Sequence, residues 1–588
     1  SRGLGDVYKR QGKVDKPALP FPDTVLAQRM AQVSNAQAET RELSATERAI
    51  AEVWKQLLPG LADPAPLDES FFDLGGHSIL ATRLVFQLRH KLGVHVPLGL
   101  VFDAPTIAQL AAATEKISSG GTDFLVAAPD AAKENASSGD LDYAKDAQVL
   151  ESELPASFMR ATPAGEPRVV LLTGATGFLG AYVLADLLDK RRNHVQKVYV
   201  HVRANDAGSA QRRLRDALAG RGLWREAWEQ EGRVQAVVGD LSKPHLGLND
   251  EDWAHLAKEV DVIVHNGALV HWVYPYSKLR AANVLSTMAV MRLANEGRPK
   301  SVAFVSSTSA LDTEYYIRFS DTSAQGVLES DPLDGSASDL KSGYGQSKWV
   351  AERLLMAAAS RGLAAVIIRP GYVVGDSKTA VTNTDDFLFR LIKGSAQLGL
   401  IPDMNNTINM VPVDHVARVT SLAGLAATQW PENLQTHAAV FHVTSHPTIR
   451  YNEFLGALIE YGWNVRPAEY LEWRTALENH VLASAAAGNT GLDADSNALF
   501  PLLHFVLDDL PTSTKSPELN DANTTKLLTE AHELDVVRGV DVPLVGLYLS
   551  WLVAVGFLPP PASKSARTLP TLPEGAARQA MGRGSAAV

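Results

Sequence analysis

Arg168 to Leu188 constrains this chain more than any other stretch, because it reads RVVLLTGATGFLGAYVLADLL. The apolar run Val169 to Leu172 predicts a buried strand, and Gly174, Gly177 and Gly180 lead from it into a segment with helical apolar spacing. A strand, a tight glycine turn and a helix make the opening unit of a dinucleotide-binding βαβ fold. Bare backbone at the turn admits a pyrophosphate that Cβ atoms would obstruct, and the helix that follows offers its electropositive start. Thr176, Phe178 and Leu179 lie in the same turn and join the three glycines as candidate cofactor contacts.

The rest of such a fold is found downstream in order. Lys197 to Val202 (KVYVHV) predicts a second strand that ends at Arg203. An acidic residue at that strand end suits a ribose 2′-hydroxyl, whereas a guanidinium suits a 2′-phosphate. Arg203, with Arg213 as a helper, therefore predicts NADPH. Asp240 and Leu241 follow the apolar run Val234 to Val238 and stand where an adenine would lie, although an aspartate there serves equally to cap the next turn. Val260 to Ala268 (VDVIVHNGA) predicts the next strand and brings Asn266, Gly267 and Ala268 toward the ribose and phosphates. Pro370 and Gly371, after the predicted strand Ala365 to Ile368, offer backbone to a nicotinamide amide.

A strand ending in hydroxyls, Phe304-Val305-Ser306-Ser307-Thr308, precedes Tyr344-Gly345-Gln346-Ser347-Lys348. Tyrosine and lysine four apart share one helix face. A nearby ammonium favours the phenolate and lowers the tyrosine pKa toward working pH, and the lysine can also hold the nicotinamide ribose. The glycine spacing G-x-x-G-x-x-G and these landmarks resemble the extended short-chain dehydrogenases, and they make Thr308, Tyr344 and Lys348 the expected catalytic triad.

Composition narrows the chemistry. The 588 residues suggest about three to four units. There is no cysteine, so disulfides, thiolate metal sites and a cysteine-bound acyl group are excluded. A formal charge of −11 without a long basic run argues against a nucleic-acid partner. Val542 to Leu558, the longest uncharged stretch, is shorter than the roughly 20 residues of a bilayer span and predicts a buried helix. No signal peptide is recognisable, so the cytosol is the expected location and no membrane partner is expected. No metal site is expected either.

The thiol this chain lacks is suggested by its first third. Ser44-x-x-Glu47 is a capping box ahead of an apolar face of Ile50, Val53, Trp54 and Leu57. A second amphipathic helix carries Leu80, Leu84, Leu88 and Leu92 and stops at Gly93, and a third starts near Pro105. Ser78 stands at the start of the second. A serine there ordinarily caps a helix. Phe71 to Leu80 (FFDLGGHSIL), however, resembles the attachment motif of peptidyl carrier domains, in which this serine bears 4′-phosphopantetheine. That resemblance implies a covalent arm on Ser78, a phosphopantetheinyl transferase as partner, and a thiol from outside the encoded residues.

Longer matches name a family. HNGALVHWVYPYSKLR (His265 to Arg280), FVSSTSALDTEYY (Phe304 to Tyr316), SGYGQSKW (Ser342 to Trp349), NTDDFL (Asn383 to Leu388) and NMVPVDHVARV (Asn409 to Val419) resemble the fungal L-2-aminoadipate reductases of lysine biosynthesis. GKVD (Gly12 to Asp15), followed by Lys16-Pro17, is similar to the end of an adenylation domain. The resemblance implies reduction of an aminoadipoyl thioester to the semialdehyde by NADPH, on a carrier normally loaded by an adenylation domain in cis. Since that domain is nearly all missing, the chain is not expected to activate a free acid. The rival within the same class is a terminal thioester reductase of a nonribosomal peptide synthetase or carboxylic acid reductase. A sugar-nucleotide epimerase, which needs no covalent arm, and a catalytically dead carrier scaffold are further alternatives.

The expected architecture is an α/β Rossmann-type extended short-chain dehydrogenase with a mainly helical C-terminal substrate lobe, preceded by a small four-helix-type carrier domain. Residues 1–11 are expected to be an extraneous scar, 12–41 an adenylation remnant and linker, 42–118 the carrier and 119–164 a flexible tether rich in Gly, Ser, Ala and Asp. The reductase is expected over 165–561, with its Rossmann core over about 165–382 and the substrate lobe over 383–561. Residues 562–588 are expected to form a disordered tail.

Overall fold

Ser44 and Glu47 start the first helix by capping each other. Ser44 Oγ accepts the Glu47 N–H at 3.1 Å, and a Glu47 carboxylate oxygen accepts the Ser44 N–H at 2.8 Å. Helix α1 (Ala45–Leu57) buries Ile50, Val53, Trp54 and Leu57. Helix α2 (Ser78–Leu92) buries Leu84 and Leu88 and is followed by Gly93 at φ +65°, while α3 (Ile107–Ser119) buries Ile107 and Leu110. Trp54 packs its ring 5.1 Å from that of Phe71 to fill the centre.

The computed structural model describes residues 43–119 except 59–60, 62–63, 72, 75–77, 95, 97–99 and 102–103; 141–161; 167–271; 274–430; 438–486; and 497–576 except 500–505, 507–509, 512–513, 563–566 and 575. The described residues up to Ser119 form one compact unit and those from Leu141 another. The expectations for residues 1–41 and the Ser78 side chain lie outside the described residues, though the backbone of Ser78 is the first residue of α2.

The larger unit is built on a seven-stranded parallel sheet. Its strands are β1 (Arg168–Thr173), β2 (Val195–Val202), β3 (Val234–Val238), β4 (Val262–His265), β5 (Ser301–Val305), β6 (Ala365–Pro370) and β7 (Ala439–Val443), in the order β7-β6-β5-β4-β1-β2-β3. Chain order reverses between β1 and β4, and such a switch point opens a crevice beyond the carboxyl ends of the strands, where ligands of open α/β sheets sit. The strands are near-continuous Val, Ile and Leu because helices cover both faces. Helix α5 (Phe178–Ala185) follows the glycine turn, and α6 (Ala207–Ala219) follows β2.

Three expectations about extent change. First, part of the expected tether is a helix, α4 (Tyr143–Ser152), capped by Asp142, whose side chain accepts from the Ala144 and Lys145 N–H groups. Tyr143, Ala147, Leu150, Leu154 and Phe158 are buried in the reductase core. Asp146 receives Arg280 through 2.7 and 2.9 Å bonds and also the Tyr276 hydroxyl. Second, the Rossmann core runs past residue 382, because β7 pairs with β6 and helix Val413–Ala426 packs against the sheet. The remainder of 383–561 is mainly helical, with two- and three-residue strands between. Third, part of the expected tail is packed: Arg567 pairs with Glu460 at 3.0 Å, and Ser550 Oγ donates to the Pro570 carbonyl at 2.7 Å. A proline-rich segment has few N–H donors to satisfy, so its carbonyls can lie along a helix surface in this way.

Among the described residues no helix is long and apolar enough to cross a membrane, and no group of three or more His, Cys, Asp or Glu side chains is arranged to hold a metal ion.

Candidate active site

The three glycines of the turn are bare for different reasons. A Cβ at Gly174, which has φ +75°, would stand 2.6 Å from the Gly267 Cα, and one at Gly180 would stand 2.2 Å from the Gly174 carbonyl oxygen. These two let β1, β4 and α5 close on one another. Gly177 is exposed, and a Cβ there would meet nothing nearer than the Gly174 carbonyl oxygen at 3.2 Å. It is also the N-cap of α5 and makes no side-chain cap bond, so the first-turn N–H groups are left to an outside partner. Thr176, Phe178 and Leu179 are half-buried around it.

The other cofactor candidates ring the same crevice. Asn266 lies 3.4 Å from both the Thr173 and Gly174 carbonyls through Nδ2, and the Gly267 N–H donates to Thr173 Oγ1 at 2.8 Å. Ala268 follows, half-buried. Arg203 is exposed at the end of β2, and Arg213 reaches back from α6 to donate to the Arg203 carbonyl at 2.8 Å. Burial first, and then the Arg203 charge, hold the Arg213 guanidinium below its usual range. Two like charges set side by side at this strand end fit an anion such as a 2′-phosphate. Asp240 is engaged in its own turn, accepting the Ser242 N–H at 2.9 Å and hydroxyl at 2.7 Å, which is the capping role that sequence could not separate from adenine binding. Leu241 approaches Gly267 from the same turn, where an added Cβ would come within 2.7 Å of its Cδ1. Pro370 is the last residue of β6 rather than a residue after it, and the Gly371 N–H donates to the Val443 carbonyl at 3.2 Å.

The expected triad sits on two packed elements. Thr308 opens a 3-10 turn, Thr308–Leu311, which Ser307 caps by accepting the Ser309 N–H at 3.1 Å. Helix α7 (Gly343–Ser360) carries Tyr344 and Lys348 and is capped by Ser342. A Cβ at Gly345 would stand 2.6 Å from the Ser309 carbonyl oxygen, so the glycine beside Tyr344 lets the hydroxyl-bearing turn close on this helix. Lys348 Nζ lies 5.8 Å from the centre of the Tyr344 ring, donates to the Val305 carbonyl at 2.7 Å and sits 4.6 Å above the Phe304 ring. Burial pulls Lys348 down to about 7, against the opposing pull of the Glu352 carboxylate. Burial thus works against the ammonium that the spacing places beside Tyr344.

Two buried networks behind the site were not legible in the sequence. Glu352, one turn after Lys348, holds Arg369 through bonds of 2.7 and 2.9 Å and also takes the Ser306 hydroxyl. Arg369 reaches the His442 Nε2 at 3.0 Å, and His442 passes its Nδ1 hydrogen to the Asn520 carbonyl at 2.7 Å. One charge pair thus fixes the ends of β5 and β6 and the lysine helix together. His265, fully buried, joins Thr173 Oγ1 at 2.9 Å to Ser286 Oγ at 3.2 Å. Ser286 gives its hydrogen to the Ala282 carbonyl, which makes Nε2 the donor to Ser286 and Nδ1 the acceptor from Thr173. Burial first, with Lys348, holds His265 down at about 3, so it stays neutral and fixes the loop that carries Asn266 and Gly267. The motifs point at Arg369 and His265 only as neighbours of Pro370 and Asn266.

Comparison with known proteins accords with this geometry. The family model described as "Male sterility protein", an NAD-binding domain, matches residues 172–420, and that described as "Phosphopantetheine attachment site" matches residues 48–114. The L-2-aminoadipate reductase of Schizosaccharomyces pombe is 46% identical over 561 residues, which cover 94% of this chain and 38% of the yeast protein. The chain thus spans about two fifths of the length of the curated relatives it matches. The crystal structure of the terminal R domain from the myxalamid PKS-NRPS biosynthetic pathway is 32% identical, with a TM-score of 0.60, over 72% of this chain and all of that one. A thiolation-reductase di-domain from an archaeal non-ribosomal peptide synthetase shares the fold at 21% identity and a TM-score of 0.64, over 89% of this chain and 99% of its own.

Proposed function

Because the chain belongs to the family of terminal R domains and matches a phosphopantetheine attachment site upstream, we propose that it reduces an aminoadipoyl group, held as a thioester on a phosphopantetheine arm at Ser78, to 2-aminoadipate semialdehyde. NADPH, when bound, supplies the hydride, and the arm supplies the thiol that the cysteine-free chain does not encode. Gly174, Gly177, Gly180 and the first turn of α5 hold the pyrophosphate, and Arg203 with Arg213 holds the 2′-phosphate. Asn266 to Ala268, Leu241, and Pro370 with Gly371 line the cofactor from adenine to nicotinamide.

At the reacting carbonyl, Thr308 donates a hydrogen bond to the oxygen as negative charge develops there, and Tyr344 delivers its phenolic proton to the same oxygen. Lys348 supports the phenolate left behind by approaching the Tyr344 ring from one helical turn away. The carbon–sulfur bond then breaks, the sulfur leaving as the arm's thiol with the proton of the new hydroxyl, and the aldehyde is released. The observation that carries this reading is the placing of Tyr344 and Lys348 on one face of α7, beside the Thr308 turn, at the carboxyl ends of a sheet that opens on a glycine turn. Upstream, a phosphopantetheinyl transferase modifies Ser78 and an adenylation domain, in cis in the full-length protein, loads the arm. The cytosol is the setting of this reading.

The test is to phosphopantetheinylate the chain, load it with aminoadipoyl groups, and follow NADPH absorbance and aldehyde together. Tyr344→Phe should lower turnover by roughly 10² to 10⁴ while leaving NADPH affinity intact; near-normal turnover would remove the phenol from the mechanism. The kinship with a myxalamid-pathway domain favours one other reading, the same chemistry on a different acyl group, and a panel of acyl-pantetheine thioesters separates the two.

A further inference from the structure

Gly371 is bare for a reason that cofactor binding does not supply. A Cβ there would stand 2.4 Å from the Asn409 carbonyl oxygen and 2.6 Å from both Cγ and Nδ2 of the Asn409 side chain. The missing side chain thus makes room for Asn409, and what remains to a ligand at this point is backbone. Asn409 is the first residue of NMVPVDHVARV, and the reaction described above gives it no part.

Asn409 joins the ends of two neighbouring strands. Its Oδ1 accepts the Ser445 N–H at 2.7 Å, and its backbone carbonyl accepts the Tyr372 N–H at 2.8 Å. Ser445 stands two residues beyond the end of β7, and Tyr372 two residues beyond the end of β6. Between them the Gly371 N–H donates to the Val443 carbonyl, which carries the pairing of β6 and β7 one residue past Pro370. There the chain leaves the main sheet, because Tyr372–Val374 pairs instead with Met410–Pro412. Ser445 is 1% exposed, so its N–H depends on the acceptor that Asn409 brings. Only the oxygen of an amide accepts, which makes Oδ1 the end that holds Ser445 and leaves Nδ2 against Gly371.

We propose that Asn409 is a positioning residue for hydride transfer: by tying Tyr372 and Ser445 together around Gly371, it fixes the Pro370–Gly371 backbone that holds the nicotinamide against the thioester carbonyl. Hydride transfer is sensitive to such support, since reacting atoms must be held about 3 to 3.5 Å apart and a displacement of about 1 Å can cost on the order of a hundredfold in rate. The contacts to the pyrophosphate and the 2′-phosphate come from other elements, the glycine turn and the end of β2. Loss of the clamp therefore leaves the cofactor bound and its ring loose. This inference rests on the reductase reading and adds to it the residue that places the ring.

The protein is titrated with NADPH and with adenosine 2′,5′-bisphosphate, which has the 2′-phosphate but no nicotinamide. It is then assayed on free aminoadipoyl pantetheine, with NADPH carrying hydrogen or deuterium at the transferred position. Asn409→Ala should bind the bisphosphate as the wild type does and NADPH nearly as well, with a smaller gain of NADPH fluorescence on binding, which reads how firmly the ring is held. Its turnover should fall about ten- to a hundredfold, with an isotope effect at least as large as that of the wild type. Asn409→Asp keeps an oxygen within reach of the Ser445 N–H and should recover most of the turnover. Melting curves show which variants are folded, and Asn409→Ser, too short to reach that N–H, takes the place of the alanine variant if alanine does not fold. Wild-type turnover in the folded alanine or serine variant, a smaller isotope effect, or an aspartate variant as slow as the alanine one overturns the clamp and leaves thioester reduction standing. A wild-type chain that binds NADPH but reduces no thioester overturns the functional reading, and the clamp with it.

Discussion

On the proposed mechanism Lys348 acts as an ammonium in a place where charge is costly. Its Nζ meets one carbonyl, that of Val305, and the face of Phe304, and burial brings it to about 7. The ordinary lysine value is about 10.4. Between the two values the unfolded chain holds a proton that the folded one does not, so stability rises with pH across this window, and the cost of burying the ammonium is fully present below about pH 7. Lys348→Met removes that cost together with the function. At pH 6 its melting temperature should equal or exceed that of the wild-type chain, the difference should move in favour of the wild type as pH rises to 9, and turnover should fall roughly 10²-fold or more. Thermal melts across pH decide it: a variant several degrees less stable at pH 6 would show the ammonium to be stabilising.

At the scale of elements, the glycine turn separates what the fold needs from what a ligand needs. Gly180→Ala forces a methyl group to 2.2 Å from the Gly174 carbonyl oxygen, where backbone must move, so this variant should be strongly destabilised or fail to fold. Gly177→Ala meets only a 3.2 Å contact at an exposed position and should melt close to the wild-type temperature, yet bind NADPH at least tenfold more weakly. Calorimetry and cofactor titration on the pair check both halves, and unchanged affinity in Gly177→Ala would remove the pyrophosphate from the turn. The same contrast explains how far sequence could be read. Strands buried on both faces announce themselves as apolar runs, and β1 to β6 fall where those runs are; capping boxes gave α1 its start. Helix α4 was missed because its buried positions, Tyr143, Ala147 and Leu150, lie in a stretch whose composition resembles a linker, and what holds it is long-range: Asp146 with Arg280, and the Tyr143 ring 5.3 Å from that of Trp349. β7 is hidden for a similar reason, since a five-residue edge strand that begins at Ala439, when β6 ends at Pro370, has no local mark of its sheet.

For the molecule as a whole, the argument turns on a thiol that must come from the first unit and a carbonyl that must be reduced in the second. A tether converts that meeting into a local event at an effective concentration on the order of millimolar. Turnover of a loaded chain should therefore depend on its own arm and not on how many chains are present: the rate per chain should stay constant on tenfold dilution, whereas reduction of free aminoadipoyl pantetheine should follow ordinary saturation. Ser78→Ala separates the two routes. It should accept no phosphopantetheine and lose all turnover from the loaded carrier, yet reduce the free thioester at the wild-type rate, because Thr308, Tyr344 and Lys348 are untouched by the change. Mass spectrometry for the arm and NADPH absorbance for the reaction read these outcomes separately. A Ser78→Ala chain that still gained the arm would place attachment at another serine, and one that gained no arm but failed on free thioester would mean that the serine serves the reductase itself, contrary to a carrier whose one task is delivery.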